Sequence, residues 1–162
     1  MSRRNARRHA FHLVFQIPFL NTHGSNLTEA LAEAKLWYYE GISGLFEDIE
    51  ELKGLKRPRG RDAQYVDRAI WGVLDKMNDI DGVIENFLRG WEIDRINKVD
   101  LAIMRLAIYE MLCELDVPLG VAANEAVQIA KEYGSDESPS FVNGVLGNVS
   151  REIKAKGREQ VD

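Results

Sequence analysis

His9 and His12 stand three residues apart, a spacing that places two imidazoles on one face of a helix and could begin a metal site. No third ligand lies near them, so the pair sets up no zinc geometry, and its arginine-rich surroundings suit RNA or core contacts better. Asp79, Asp81 and Glu85 form an acidic cluster that could hold Mg²⁺ in a helical hydrolase or nuclease, but a helix cap and a solvated face account for the same residues. The run DKMNDIDG imitates a calcium loop. Setting Gly82 at the loop's sixth position puts Met77 first and Leu88 twelfth, and neither ligates calcium. The single Cys113 falls in the most apolar stretch and reads as packing. There is no phosphate loop, nucleophile elbow or paired-cysteine motif. We therefore expect no catalytic set, no metal site and no cofactor.

The chemistry that does stand out is cationic. The first 28 residues carry Arg3, Arg4, Arg7 and Arg8 and no acid, whereas residues 29–51 hold seven acids against Lys35. Lys53, Lys56, Arg57, Arg59 and Arg61 then follow together, so the net charge of −5 hides a strongly patterned chain. A basic arm on an acidic body suits one anionic partner. The basic start followed by apolar residues fails as a secretory signal, because Arg7, Arg8, His9, His12 and Gln16 interrupt the apolar run. No stretch approaches the roughly 20 apolar residues of a membrane span. With one cysteine there is no disulfide framework, and a cytoplasmic location is expected.

These residues must be positioned by helices. Ala6, Ala10, Leu13 and Val14 recur at three- and four-residue steps, predicting a helix over 5–19 that Pro18 ends. Asn26 offers an N-cap to a second helix, with a break expected around Gly41 and Gly44. An acidic helix is expected over 45–52 and a basic loop over 54–62, then a helix over 63–78 with Val66, Ala69, Ile70, Val73, Leu74 and Met77 inward. A shorter helix should carry Val83, Ile84, Phe87, Leu88 and Trp91, with Gly90 as terminator. A helix is expected over 94–115 that is apolar almost all round from Val99 to Leu115, broken mainly by Asp100, Arg105, Glu110 and Glu114, the pattern of a central buried helix. Pro118 and Pro139 each sit where a further helix can begin, and Gly134 closes the first of these two. No strand is predicted, and at 162 residues one compact unit or two small helical subdomains sharing an interface is expected.

Three stretches together, RRNARRHAFHLVFQ, INKVDLAIMRLAIYEM and VPLGVAANEAVQIAKEYGSDESPSFVNGVLGNV, resemble the NusB transcription antitermination factor family. The last two cover about residues 96–149 with little interruption, while 20–90 share only helical character and a recognisable texture near YVDRAIWGVLDK. The resemblance implies an all-α fold of about seven helices in two small packed bundles. Within a single domain over 1–162, these would be an N-terminal subdomain of about 1–90 and a C-terminal one of about 91–162. It further implies binding to the boxA segment of nascent rRNA transcripts, jointly with the ribosomal protein NusE, on the transcribing RNA polymerase complex, without catalysis. A related domain precedes a methyltransferase domain in some rRNA cytosine methyltransferases, but the stand-alone factor is the expected match.

Carried over residue by residue, the resemblance assigns Arg3, Arg4, Arg7 and Arg8 to RNA, where planar guanidiniums neutralise phosphates and stack on bases. The family often has an arginine where Asn5 stands, and Arg8 is placed to compensate. Phe15 and Phe141 are assigned to base stacking, although an aromatic at helical spacing is more often core. Glu137 is expected to temper RNA affinity by repelling phosphate. Asp100 and Arg105, charges on an otherwise apolar helix, are assigned to the NusE surface, with internal satisfaction of Arg105 as the alternative. Asn124, Glu125, Asn143 and Gly144 match the motif but read as structural. The basic residues 53–61 are a further candidate phosphate contact, a homodimer is compatible with the pattern, and the competing function is a helical protein adaptor that ignores RNA.

Overall fold

The computed structural model describes residues 3–20, 26–44 and 57–157. The acidic helix expected over 45–52, and Lys53 and Lys56 of the basic loop, lie outside the described residues. Seven α-helices and no strand occur among the described residues, the all-α class the sequence implies. The chain divides into two compact units, Met1–Ile70 and Trp71–Asp162.

In the first unit, α1 (Arg3–Gln16) buries the stripe Ala6, Ala10, Leu13 and Val14 completely. Pro18 cannot donate a backbone hydrogen bond, so the chain tightens into a 3-10 turn, Ile17–Phe19, in which Leu20 N–H bonds the Ile17 carbonyl at 3.2 Å. α2 (Leu27–Gly44) starts where expected: the Asn26 side-chain oxygen accepts the Glu29 N–H at 2.8 Å. It runs through Gly41 without the expected break, since an interior glycine costs a helix only about 1 kcal/mol and creates no clash. α1 and α2 meet at His9, whose Nδ1 lies 2.8 Å from the Tyr38 hydroxyl.

α3 (Gly60–Asp75) begins before the expected position because Gly60, at φ +57°, turns the chain directly out of Arg59. It ends three residues early. Lys76, at φ −103° and ψ 13°, leaves the helical region, and α4 (Met77–Glu85) starts at once. The short helix is therefore displaced toward the N-terminus, and Phe87, Leu88 and Trp91 fall in the turns that follow it. Gly72 earns its place by contact, since a Cβ there would lie 2.3 Å from the Tyr109 ring.

The second unit is organised around α5 (Lys98–Cys113), whose residues Asp100 to Met111 are all buried. α4, α6 (Leu119–Tyr133) and α7 (Ser138–Ala155) pack against it. Its start is Asn97 rather than Asp94: the Asn97 side chain accepts the Val99 N–H at 2.8 Å, and Ile93–Arg95 forms a separate 3-10 turn. Pro118 precedes α6 as N-cap, and Pro139 lies in the first turn of α7.

Candidate nucleic-acid interface

The α1 arginines fall on two sides of one helix. Positions four and seven apart share a face, so Arg3 and Arg7 continue the inward stripe of Ala10 and Val14, while Arg4, Arg8 and Phe15 lie along an outer stripe that is interrupted by buried Phe11. Arg7 is only 6% exposed. Arg3 is half-buried, with Nε 3.5 Å from the Asp62 carboxylate and its guanidinium 4.5 Å over the Tyr65 ring. Arg4 is exposed, and half-buried Arg8 reaches the Asn5 side-chain oxygen at 3.5 Å.

Phe15 is half-buried and belongs to a short aromatic ladder, its ring 6.3 Å from Phe11 and 5.3 Å from Phe19. Phe11 is core, and Phe19 is 62% exposed beyond the 3-10 turn. Sequence reasoning stopped at Phe15, although the i, i+4 recurrence of three phenylalanines was visible. His9 is committed to Tyr38. His12 is held neutral, its pKa pushed down to about 4 by burial first and then by His9 and Arg8. Arg57, from the basic loop, lies 4.9 Å over the Tyr39 ring, and burial pushes the Tyr39 hydroxyl up to about 12. Arg59 and Arg61 are exposed.

In the second unit, the structure brings Phe141, Glu137 and Asp100 around one groove of about 540 Å³, to which Trp91, Arg89 and Arg95 also contribute. Trp91, at 65% exposure, was not among the expected site residues, because its spacing reads as a continuation of a helix that in fact ends at Glu85. It is carried out of that helix by Arg89 (φ 44°) and Gly90 (φ 88°), two successive left-handed residues. Phe141 is 38% exposed on α7, and Glu137 occupies the position before that helix. Asp100 is 6% exposed, and its Oδ1 is fully buried without a hydrogen-bond partner. Arg105 faces elsewhere, paired through two nitrogens with Asp81 on α4.

These features define an all-α binding protein, cationic and aromatic on one helix of the first unit and aromatic around a groove of the second. Residues 4–151 match the NusB family, and the chain belongs to it. It is 39% identical over 150 residues to the transcription antitermination protein NusB of Clostridium botulinum (strain Loch Maree / Type A3), covering 92% of this chain and 99% of that one. Over 103 residues it is 50% identical to NusB of Acetivibrio thermocellus, covering 62% of this chain and 71% of the relative. The structure of T. maritima NusB matches with a TM-score of 0.72 at 30% identity, over 94% of this chain and 92% of that one. A structure of the antitermination factors NusB and NusE in complex with dsRNA shares the fold at a TM-score of 0.65 and 23% identity, over 93% and 96% of the two chains.

Proposed function

We propose that this protein is a transcription antitermination factor that binds the boxA segment of nascent rRNA transcripts as single-stranded RNA. It does so together with the ribosomal protein NusE, on the transcribing RNA polymerase complex in the cytoplasm, and catalyses no reaction. The observation that carries the reading is the outer stripe of α1, where Arg4 and Arg8 precede Phe15 on one face. Cations that neutralise phosphates and rings that accept unstacked bases are the two requirements of single-strand RNA recognition. Arg4 and Arg8 contact phosphate directly, while Arg3 and Arg7 add to the local potential and anchor the helix that presents them. Phe141 supplies a second ring, and Glu137 beside it tempers affinity by repelling phosphate.

The complex of NusB and NusE with dsRNA, which shares this fold, supports RNA and NusE as the two kinds of partner. For the protein partner we assign Asp100, with Arg105 acting through Asp81 to hold α5 in place. A charge reversal, Asp100→Lys, weakens NusE binding if the assignment is correct.

The test is fluorescence anisotropy of a boxA strand and a scrambled control, each with and without NusE, across a salt series. Preference for boxA, strengthened by NusE, with a log–log salt slope of about −1.4 to −3 for two to four arginine–phosphate contacts, supports the reading. Equal failure on both RNAs with NusE present overturns it, and an affinity for NusE alone then identifies a protein adaptor.

A further inference from the structure

α2 presents large apolar side chains on both of its faces. Ala30, Leu31, Tyr38 and Tyr39 recur at helical spacing as its buried face. The opposite face carries Leu36, 62% exposed, and Trp37, 65% exposed. Glu33 stands one turn before this pair and Glu40 one turn after it, and both are exposed, as is Glu29 a further turn back. None of the three carboxylates is paired with a base among the described residues. Lys35, the one base among the seven acids of residues 29–51, is committed to Asp67 on α3.

Single exposed apolar residues are ordinary, but a leucine and a tryptophan side by side in an acidic frame form a patch that water disfavours. We propose that this face of α2 docks a basic amphipathic segment of another protein, with an arginine or lysine over the Trp37 ring between Glu33 and Glu40, and an apolar side chain against Leu36. The proposal is independent of the RNA-binding reading and uses none of the residues assigned above to RNA or NusE.

Charge decides the class of partner. The carboxylates repel the phosphates of RNA and the headgroups of an anionic membrane, so neither is the occupant. A neutral or acidic apolar helix would cover Leu36 and Trp37 but leave the glutamates unanswered. A cationic segment answers both, since indole is the best of the aromatic rings for a cation and the flanking carboxylates add ion pairs to the same charge. The rim pairs stay solvated and contribute mainly orientation and encounter rate, while Trp37, of the residue type that most often dominates protein interfaces, carries the affinity. The arginine-rich helix of a second copy suits the face less, because buried Phe11 separates Arg4 and Arg8 from half-buried Phe15 and leaves no apolar side chain beside the cations.

The experiment measures the anisotropy of two labelled synthetic helical peptides against the whole chain, one with arginines flanking leucine on one face and one with glutamates in place of those arginines. The arginine peptide should bind in a salt-sensitive manner, and the glutamate peptide should not bind. Trp37→Ala, at an exposed position where alanine favours the helix, should weaken the arginine peptide about tenfold, and Glu33→Lys with Glu40→Lys should weaken it at least as much. Trp91→Ala, equally exposed but beside Arg89 and Arg95, should leave it unchanged. Far-UV circular dichroism verifies that the helices are retained, and the boxA affinity of Trp37→Ala should equal that of wild type. Equal binding of the two peptides, no binding of either, or a loss shared equally by Trp37→Ala and Trp91→Ala overturns the proposal. So does a boxA affinity that falls along with the peptide's, which assigns the face to RNA. A dimer in sedimentation that Trp37→Ala dissolves overturns it as well, and assigns the face to a second copy.

Discussion

Arg105 lays its guanidinium against the Asp81 carboxylate, Nε to Oδ1 at 2.9 Å and Nη2 to Oδ2 at 2.8 Å, joining α5 to α4. With both side chains largely buried, the two-point pair is worth more intact than broken. Asp81→Ala strands the Arg105 cation and should cost about 3 kcal/mol, read as a lower urea midpoint. The double replacement Asp81→Leu with Arg105→Met should recover much of that loss. An Asp81→Ala variant as stable as wild type would mean that solvent already screens the pair.

The two sides of α1 make separable predictions. Arg4→Ala and Arg8→Ala should each weaken RNA binding and flatten the salt slope by about 0.7, with little change in thermal stability. Arg7→Ala removes a buried side chain, so its main effect should be a lower melting temperature. If all three variants instead behave alike in both measurements, the division of the helix into contacting and anchoring arginines is wrong.

His12 supplies a pH dependence whose sign follows from its environment. Its folded-state pKa, about 4, lies below the ordinary histidine value of 6.5, so between these limits the unfolded chain binds the extra proton. Stability then rises with pH and is lost as pH falls through this window, by about 2 kcal/mol between pH 7 and pH 5 from this group alone. Urea titrations of wild type and His12→Gln at both pH values should show the wild type losing more on acidification. An identical loss in both would assign the acid sensitivity to other groups.

Gly72 should not tolerate a methyl group. The Cβ of alanine would fall 2.3 Å from Tyr109 Cε2, so the ring or the helix must move, at a cost of about 1–3 kcal/mol despite alanine's better helix propensity. Gly72→Ala paired with Tyr109→Leu should regain stability, as chemical denaturation of the single and double variants would reveal.

Much of this fold is written in local pattern. Apolar spacing marks α1, α3, α6 and α7, and the run at 99–115, apolar almost all round with four charges in it, marks α5 as interior. Boundaries were harder, since Lys76 leaves the helical region without a proline or glycine to announce it, and that displaced α4 and hid Trp91. Within the site, four arginines close together in sequence look equivalent until a helix axis divides them. Asp100 and Arg105 illustrate the remaining limit: both are charges on an apolar helix, yet one finds Asp81, 24 positions away, and the other has an oxygen with no partner. Pairing at such separation has no local signature.

Burial of every residue from Asp100 to Met111 leaves α5 without a tolerant side. A helix at a protein surface drifts in sequence along its wet face while the dry face stays fixed, but here there is no wet face on which change can accumulate. Along this segment, substitutions must come in compensating pairs with α4, α6, α7 or, at Tyr109, with Gly72 of α3. The groove residue Asp100, at the start of that segment, is therefore constrained by the interior as much as by any ligand.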